Sequence, residues 1–147
     1  MDIHQWKLNE LKKRAKRSGS QNIETKLIES TKTIKRLKAS ADIVLLDVPC
    51  SGSGVLRRNP DTKWKFSQKS LAEVIQLQKE ILHSYAKMCK EDGCLIYSTC
   101  SLFSSENQKQ VEGFLKENSD WALVEEKQIL PQDFNCDGFY MAKLKRI

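Results

Sequence analysis

Asp42-Ile43-Val44-Leu45-Leu46-Asp47-Val48-Pro49-Cys50-Ser51-Gly52-Ser53-Gly54 is the stretch on which the fold turns. A continuous apolar run closed by an acid reads as a buried parallel strand. The proline and glycines that follow read as a loop leaving the strand's carboxyl end. A second run, Cys94-Leu95-Ile96-Tyr97-Ser98-Thr99, has the same character and leads into Cys100-Ser101. Between the two runs the spacing predicts a helix, opened by the capping box Ser70-Leu71-Ala72-Glu73 and reaching about Lys90. Its core face is Leu71, Val74, Ile75, Leu82, Tyr85 and Cys89, and Asp92-Gly93 is its stop signal.

Downstream, Ser105-Glu106-Asn107-Gln108 predicts the cap of a helix that runs to about Asn118 with Val111, Phe114 and Leu115 inward. Two tail strands follow, near 121–129 and 138–145, with a loop over 131–137 between them. Upstream, residues 5–17 form an amphipathic helix with Leu8, Leu11 and Ala15 on one face, stopped by Ser18-Gly19. A short strand is expected over 22–28, then a helical turn over 31–38 with Ile34 and Leu37 inward. Strand alternating with helix is the pattern of an α/β fold with a parallel sheet, as one domain over residues 1–147. Ligands of such folds sit beyond the carboxyl ends of the strands. The loops bearing Cys50 and Cys100 both start there, so both thiols are candidates for one site.

The bulk composition narrows the class. Hydrophobic residues are 39% and charged residues 30% of 147, enough for a core and unlike a disordered chain. No apolar run approaches the ~20 residues of a membrane span, and the first residues lack the basic and apolar segments of a secretory signal. Five cysteines, none in a Cys-x-x-Cys pair, suit neither a disulfide framework nor a zinc site, so no metal is expected. A reducing cytoplasm is the natural compartment. Residues 1–40 hold eleven Lys/Arg against four Asp/Glu, and residues 41–147 hold fourteen against fifteen. A basic end of this kind suits a polyanion such as RNA, although a solvated helix face has the same composition.

Taken singly, Cys50 reads as a small buried hydrophobe, Asp47 as a strand-end cap and Gly52 as a loop glycine. Together, and followed by a second strand-end cysteine, they exceed what packing requires. Other thiol and loop chemistries fit poorly. A cysteine phosphatase needs Cys-x5-Arg, but Leu56 holds the arginine position. A P-loop needs Gly-Lys-Ser/Thr, which does not follow Gly52-Ser53-Gly54. A cysteine protease needs a histidine partner, and neither His4 nor His83 stands in a suggestive context.

The three segments Asp47-Val-Pro-Cys-Ser-Gly-Ser-Gly54, Arg57-Arg-Asn-Pro-Asp-Thr-Lys-Trp64 and Tyr97-Ser-Thr-Cys-Ser101 resemble the RNA cytosine-5 methyltransferases of the Sun (RsmB/NSUN) group. The resemblance extends to the Asp137-Gly-Phe-Tyr-Met-Ala-Lys143 ending. It implies a Rossmann-like class I methyltransferase fold, S-adenosyl-L-methionine as cofactor and RNA, ribosomal RNA first, as substrate. The chemistry accounts for the thiols. C5 of cytosine is too poor a nucleophile to take a methyl group, and a thiolate adding at C6 makes it an enamine. A carboxyl group at N3 assists as charge develops there. The resemblance implies Cys100 as nucleophile, Cys50 as the residue aiding release, and Asp47 at N3. The residues by themselves do not separate the two cysteines, and DNA cytosine-5 methyltransferases use the Pro-Cys thiol, so the reverse assignment stays open.

The resemblance also implies Asp2, Glu29, Asp47 and Pro49 on the cofactor, with Asp2 on the ribose hydroxyls. Glu29 stands where the group has an aspartate. Lys63, Arg57, Arg58, Ser51 and Gly52 are implied on the substrate side. The group's glycine-rich cofactor turn has no counterpart in residues 1–46, where Gly19 is the only glycine. The expectation is a fold truncated at its N-terminus. In the group's strand order, 3-2-1-4-5-7-6, the strand at 42–47 would then show an open apolar edge, a route to self-association. The rival reading is an RNA-binding piece without cofactor affinity.

Overall fold

The computed structural model describes residues 1–147, the side chain of Lys65 excepted. The chain divides into two compact units, Met1–Leu37 and Lys38–Ile147.

In the first unit, helix α1 spans Gln5–Arg17 and buries Leu8 and Ala15, while Leu11 stays exposed. Gly19 takes the left-handed φ of 69° that closes a helix, with Gly19 N–H donating to Lys16 O and Ser20 N–H to Ala15 O. Helix α2 (Thr31–Lys35) buries Ile34. The strand expected over 22–28 does not form. Only Leu27 makes a bridge, parallel to Asp2, through Asp2 N–H to Lys26 O and Ile28 N–H to Asp2 O. A single rung cannot propagate a ladder, since each further rung needs a paired residue on both chains. Residues 1–37 hold ten Lys/Arg and four Asp/Glu, and residues 38–147 hold fifteen of each.

In the second unit, strands β1 (Ala41–Asp47), β2 (Cys89–Thr99), β3 (Trp121–Ile129) and β4 (Phe139–Arg146) form one sheet in the order β1-β2-β4-β3. This matches the last four places of the order expected from the resemblance. The sheet is mixed rather than parallel: β1 and β2 run parallel, while β4 is antiparallel to both its neighbours. A short connection through α6 (Pro131–Phe134) joins β3 to β4, and only antiparallel neighbours can be linked so briefly.

A single helical turn, α3 (Thr62–Lys65), lies in the connection after β1, and helices α4 (Gln68–Tyr85) and α5 (Gln108–Glu117) cover one face of this sheet. Val44, Leu46, Leu95, Tyr97, Tyr140, Ala142 and Leu144 meet Leu82, Val111 and Phe114 there. Side chains alternate along a strand, so Ile43 and Leu45 point away from this core, and both are 64% exposed. The apolar run that reads as buried on both faces is therefore covered on one. Among the described residues, β1 has no strand along its outer edge.

Helix α4 starts three residues before the expected box. Ser67 Oγ accepts Ser70 N–H at 3.0 Å, and Ser70 Oγ accepts Ser67 N–H at 3.0 Å. It stops at Tyr85 because the chain must extend to pair with β1 from Cys89 onward. Asp92, at φ 61°, and Gly93 mark a bulge inside β2, where the register against β1 jumps from Cys89 to Cys94. The Ser105–Gln108 box is not made either: Asn107 is the N-cap and gives no side-chain cap. No described helix is long and apolar enough to cross a membrane.

Candidate active site

Register brings the two thiols together. Asp47, the last residue of β1, pairs with Ser98 near the end of β2, and Val48 N–H extends the ladder to Ser98 O at 3.2 Å. The loops that leave the two strands therefore begin side by side. Gly54 N–H donates to Cys100 O at 2.8 Å, and Gly138 N–H donates to Gly54 O at 2.8 Å. Three segments distant in sequence cross at Gly54, which is buried. A Cβ there would stand 2.2 Å from Gly138 O and 2.8 Å from Cys100 O. Gly52 turns the loop with a φ of 70°.

The result is Cys50 Sγ 3.0 Å from Cys100 Sγ, both half-buried and neither in a disulfide. The Cys50 thiol hydrogen-bonds the Cys100 sulfur and pulls its pKa down to about 7. Partial burial, Asp47 and Glu106 oppose that shift. The same bond, with burial, pushes the Cys50 thiol far up. Near neutral pH a substantial fraction of the pair is therefore a thiolate at Cys100 held by a thiol at Cys50, an activated nucleophile beside a proton donor.

Beneath the pair lies a buried polar frame. Glu106 and Gln78 are both 0% exposed. Glu106 Oε1 accepts Ser51 N–H at 2.8 Å and Gln78 Nε2–H at 3.0 Å, and Oε2 accepts Ser51 Oγ–H at 2.5 Å and the Ser101 hydroxyl. Gln78 also donates to Pro49 O at 2.9 Å. Asn107 accepts Thr99 Oγ1–H at 2.6 Å and donates to Ser101 O at 2.9 Å. Four donors on one carboxylate offset the cost of burying it.

Of the residues singled out in the sequence, Cys50, Ser51, Gly52 and Cys100 share this loop pair, with Asp47 at its base. Asp47 is exposed and holds only a 3.5 Å bond from Ser98 Oγ, and Pro49 is exposed beside it. The three basic candidates make other contacts. Arg57 donates to Asn135 Oδ1 at 3.4 Å, Arg58 pairs with buried Asp137, and Lys63 Nζ lies 4.9 Å from the Trp64 ring centroid. Asp2 and Glu29 belong to the Met1–Leu37 unit, where Asp2 Oδ1 accepts His4 N–H at 2.8 Å and Glu29 is exposed. Sequence reasoning passed over Glu106, Gln78 and Asn107. The serines flanking both cysteines, Ser51, Ser53 and Ser101, were the available signal that a shared acceptor lay between the loops.

Comparison with known proteins bears on this arrangement. Residues 1–145 match the family model described as 16S rRNA methyltransferase RsmB/F. The probable ribosomal RNA small subunit methyltransferase B of Synechocystis is 35% identical, over 99% of this chain and 36% of that protein. The ribosomal RNA small subunit methyltransferase B of Pectobacterium atrosepticum is 44% identical, over 70% of this chain and 26% of that protein. The chain thus spans between a quarter and a little over a third of the length of these relatives. The crystal structure of PH0851 superposes with a TM-score of 0.93 at 30% identity, over 99% of this chain and 36% of that one. NSun6 from Pyrococcus horikoshii with SFG shares the fold, with a TM-score of 0.81 at 22% identity over 98% of this chain and 40% of that one.

Proposed function

We propose, since the chain belongs to the 16S rRNA methyltransferase RsmB/F family, that it carries the two thiols of an S-adenosyl-L-methionine-dependent RNA cytosine-5 methyltransferase. Ribosomal RNA is the proposed substrate, in keeping with the names of its relatives, and the cytoplasm the proposed location, in keeping with five free cysteines. The single observation that carries the reading is the 3.0 Å Cys50–Cys100 contact, in which the acceptor thiol is the acidified one. A nucleophile for C6 of cytosine must be a thiolate near neutral pH, and Cys100 meets that requirement.

The residues divide the work as follows. Cys100 Sγ bonds to C6 and the C5–C6 π pair moves to C5, which becomes the methyl acceptor. Asp47, exposed and weakly bonded, is the proposed N3 partner, assisting by hydrogen bonding or proton donation as charge develops there. The enamine pair is spent on the C5–methyl bond; water then takes the C5 proton, and the C5–H electron pair re-forms the C5–C6 double bond as the C6–sulfur bond breaks and expels Cys100 as its thiolate. Cys50 retains its proton and its hydrogen bond to Cys100, so it stabilises the departing thiolate. The chemistry that S-adenosyl-L-methionine supplies when bound is an electrophilic methyl group on a cationic sulfur. Asp47 and Pro49, both exposed at the carboxyl end of β1, and Asp2 and Glu29, as the ribose and adenine partners, are the residues proposed to hold the cofactor. Ser51, Gly52, Arg57, Arg58 and Lys63 are proposed on the RNA side, together with the excess cations of Met1–Leu37. A second copy of the chain along the free edge of β1 is a further proposed partner.

The test is covalent trapping. With cytosine-containing RNA and cofactor, Cys50→Ala is expected to accumulate a protein–RNA adduct that survives a denaturing gel, and Cys100→Ala to give none. An adduct from Cys100→Ala alone would exchange the roles, and one from neither would remove the thiols from the chemistry.

A further inference from the structure

We infer that Glu106 is a positioning residue, whose buried carboxylate ties the Cys50 loop to the Cys100 loop and so sets the contact between the two thiols. The inference rests on the thiol pair being the reacting centre. Glu106 bonds Ser51 through backbone and side chain and Ser101 through its hydroxyl, the residues that directly follow Cys50 and Cys100. It is itself fixed from behind: Gln78 of α4 donates to Oε1, and Tyr97 Oη–H donates to the Glu106 carbonyl at 2.7 Å. Gln78 Nε2 also donates to Pro49 O, the carbonyl of the residue before Cys50. The Cys50 loop is thus held on both flanks of the cysteine by one buried pair, both members of which are 0% exposed.

Charge and geometry act with opposite signs here, so they can be separated. The negative charge of Glu106 disfavours the Cys100 thiolate, as does that of Asp47, and the only side chain that favours it is Cys50. If Glu106 acted by charge alone, its removal would make Cys100 more acidic. If it acts by holding the thiols in contact, its removal makes Cys100 less acidic, because the Cys50 hydrogen bond is the largest influence on that group.

The experiment is the pH profile of Cys100 alkylation by iodoacetamide in this chain, read by mass spectrometry after digestion. In this step the thiolate displaces iodide, so the rate follows the ionised fraction. The parent chain is expected to titrate at about 7. Glu106→Ala is expected to move the midpoint up by a unit or more, so that alkylation at neutral pH falls about fivefold or more, and Glu106→Gln to lie between, since an amide preserves part of the bonding. A folded Glu106→Ala chain with an unchanged or lower midpoint would overturn the inference. Should Glu106→Ala not give a native circular dichroism spectrum, Glu106→Gln decides by the same direction of shift. Neither RNA nor methyl donor enters the assay. A failure here therefore leaves the adduct experiment standing, and a failure there leaves this result interpretable.

Discussion

A methyl group at residue 54 has nowhere to go. Each close neighbour of its would-be Cβ is backbone, from Gly138 and Cys100, and backbone cannot rotate aside. Gly54→Ala is therefore expected to cost about 3 kcal/mol and to lower the unfolding midpoint in a thermal melt. Gly52 offers the contrast. Its φ of 70° is strained for alanine, but its nearest neighbours are side-chain methyls at 3.6 and 3.8 Å, so Gly52→Ala should cost only about 1 kcal/mol. Equal losses from the two substitutions would refute the argument. In the sequence both positions read alike, as glycines of one loop. What separates them is the approach of residues 46 and 84 positions away, which no local pattern encodes. Glu106 was hidden for a related reason. Its neighbourhood reads as a helix cap, and the demand for a buried acceptor between two loops prevailed over the local signal.

At the scale of elements, legibility followed the locality of the forces. Helix α1 was read to the residue, because its apolar spacing and its Ser-Gly stop are all within reach of its own backbone. Helix α4 was read too late at its start and too long at its end. Two serine boxes compete for its N-terminus, and its C-terminus is set by β2 pairing with β1 rather than by Asp92-Gly93. Helix α1 also carries the element-level prediction. It bears six basic residues and one acid, Glu10, which pairs with Lys13 and Arg14. Lys12, Lys16 and Arg17 are exposed. Replacing these three with glutamine is expected to weaken RNA binding and to flatten the plot of log affinity against log salt by about 0.7 per lost contact to a single strand. Fluorescence anisotropy across a salt series measures this, and an unaltered slope would take α1 out of the RNA interface.

For the whole molecule, the strand order was legible through the resemblance, and the mixed direction of the sheet was not, because periodicity does not report which way a strand runs. The uncovered side of β1 sets up the last prediction. Ile43 and Leu45 are exposed next to an unpaired strand edge, a template for a second chain. Light scattering is expected to give the mass of two chains at high concentration and of one for Leu45→Lys; a single-chain mass for the parent at all concentrations would exclude the pairing.

The partition of charge between the units has an experimental corollary. All the excess positive charge belongs to Met1–Leu37, while the acidified thiol sits in a unit whose formal charges cancel, and every group that shifts it is in that unit as well. Ionic strength and pH therefore act as separate dials. Salt tunes how tightly a polyanion is captured, whereas acidity tunes how much nucleophile is present once it is.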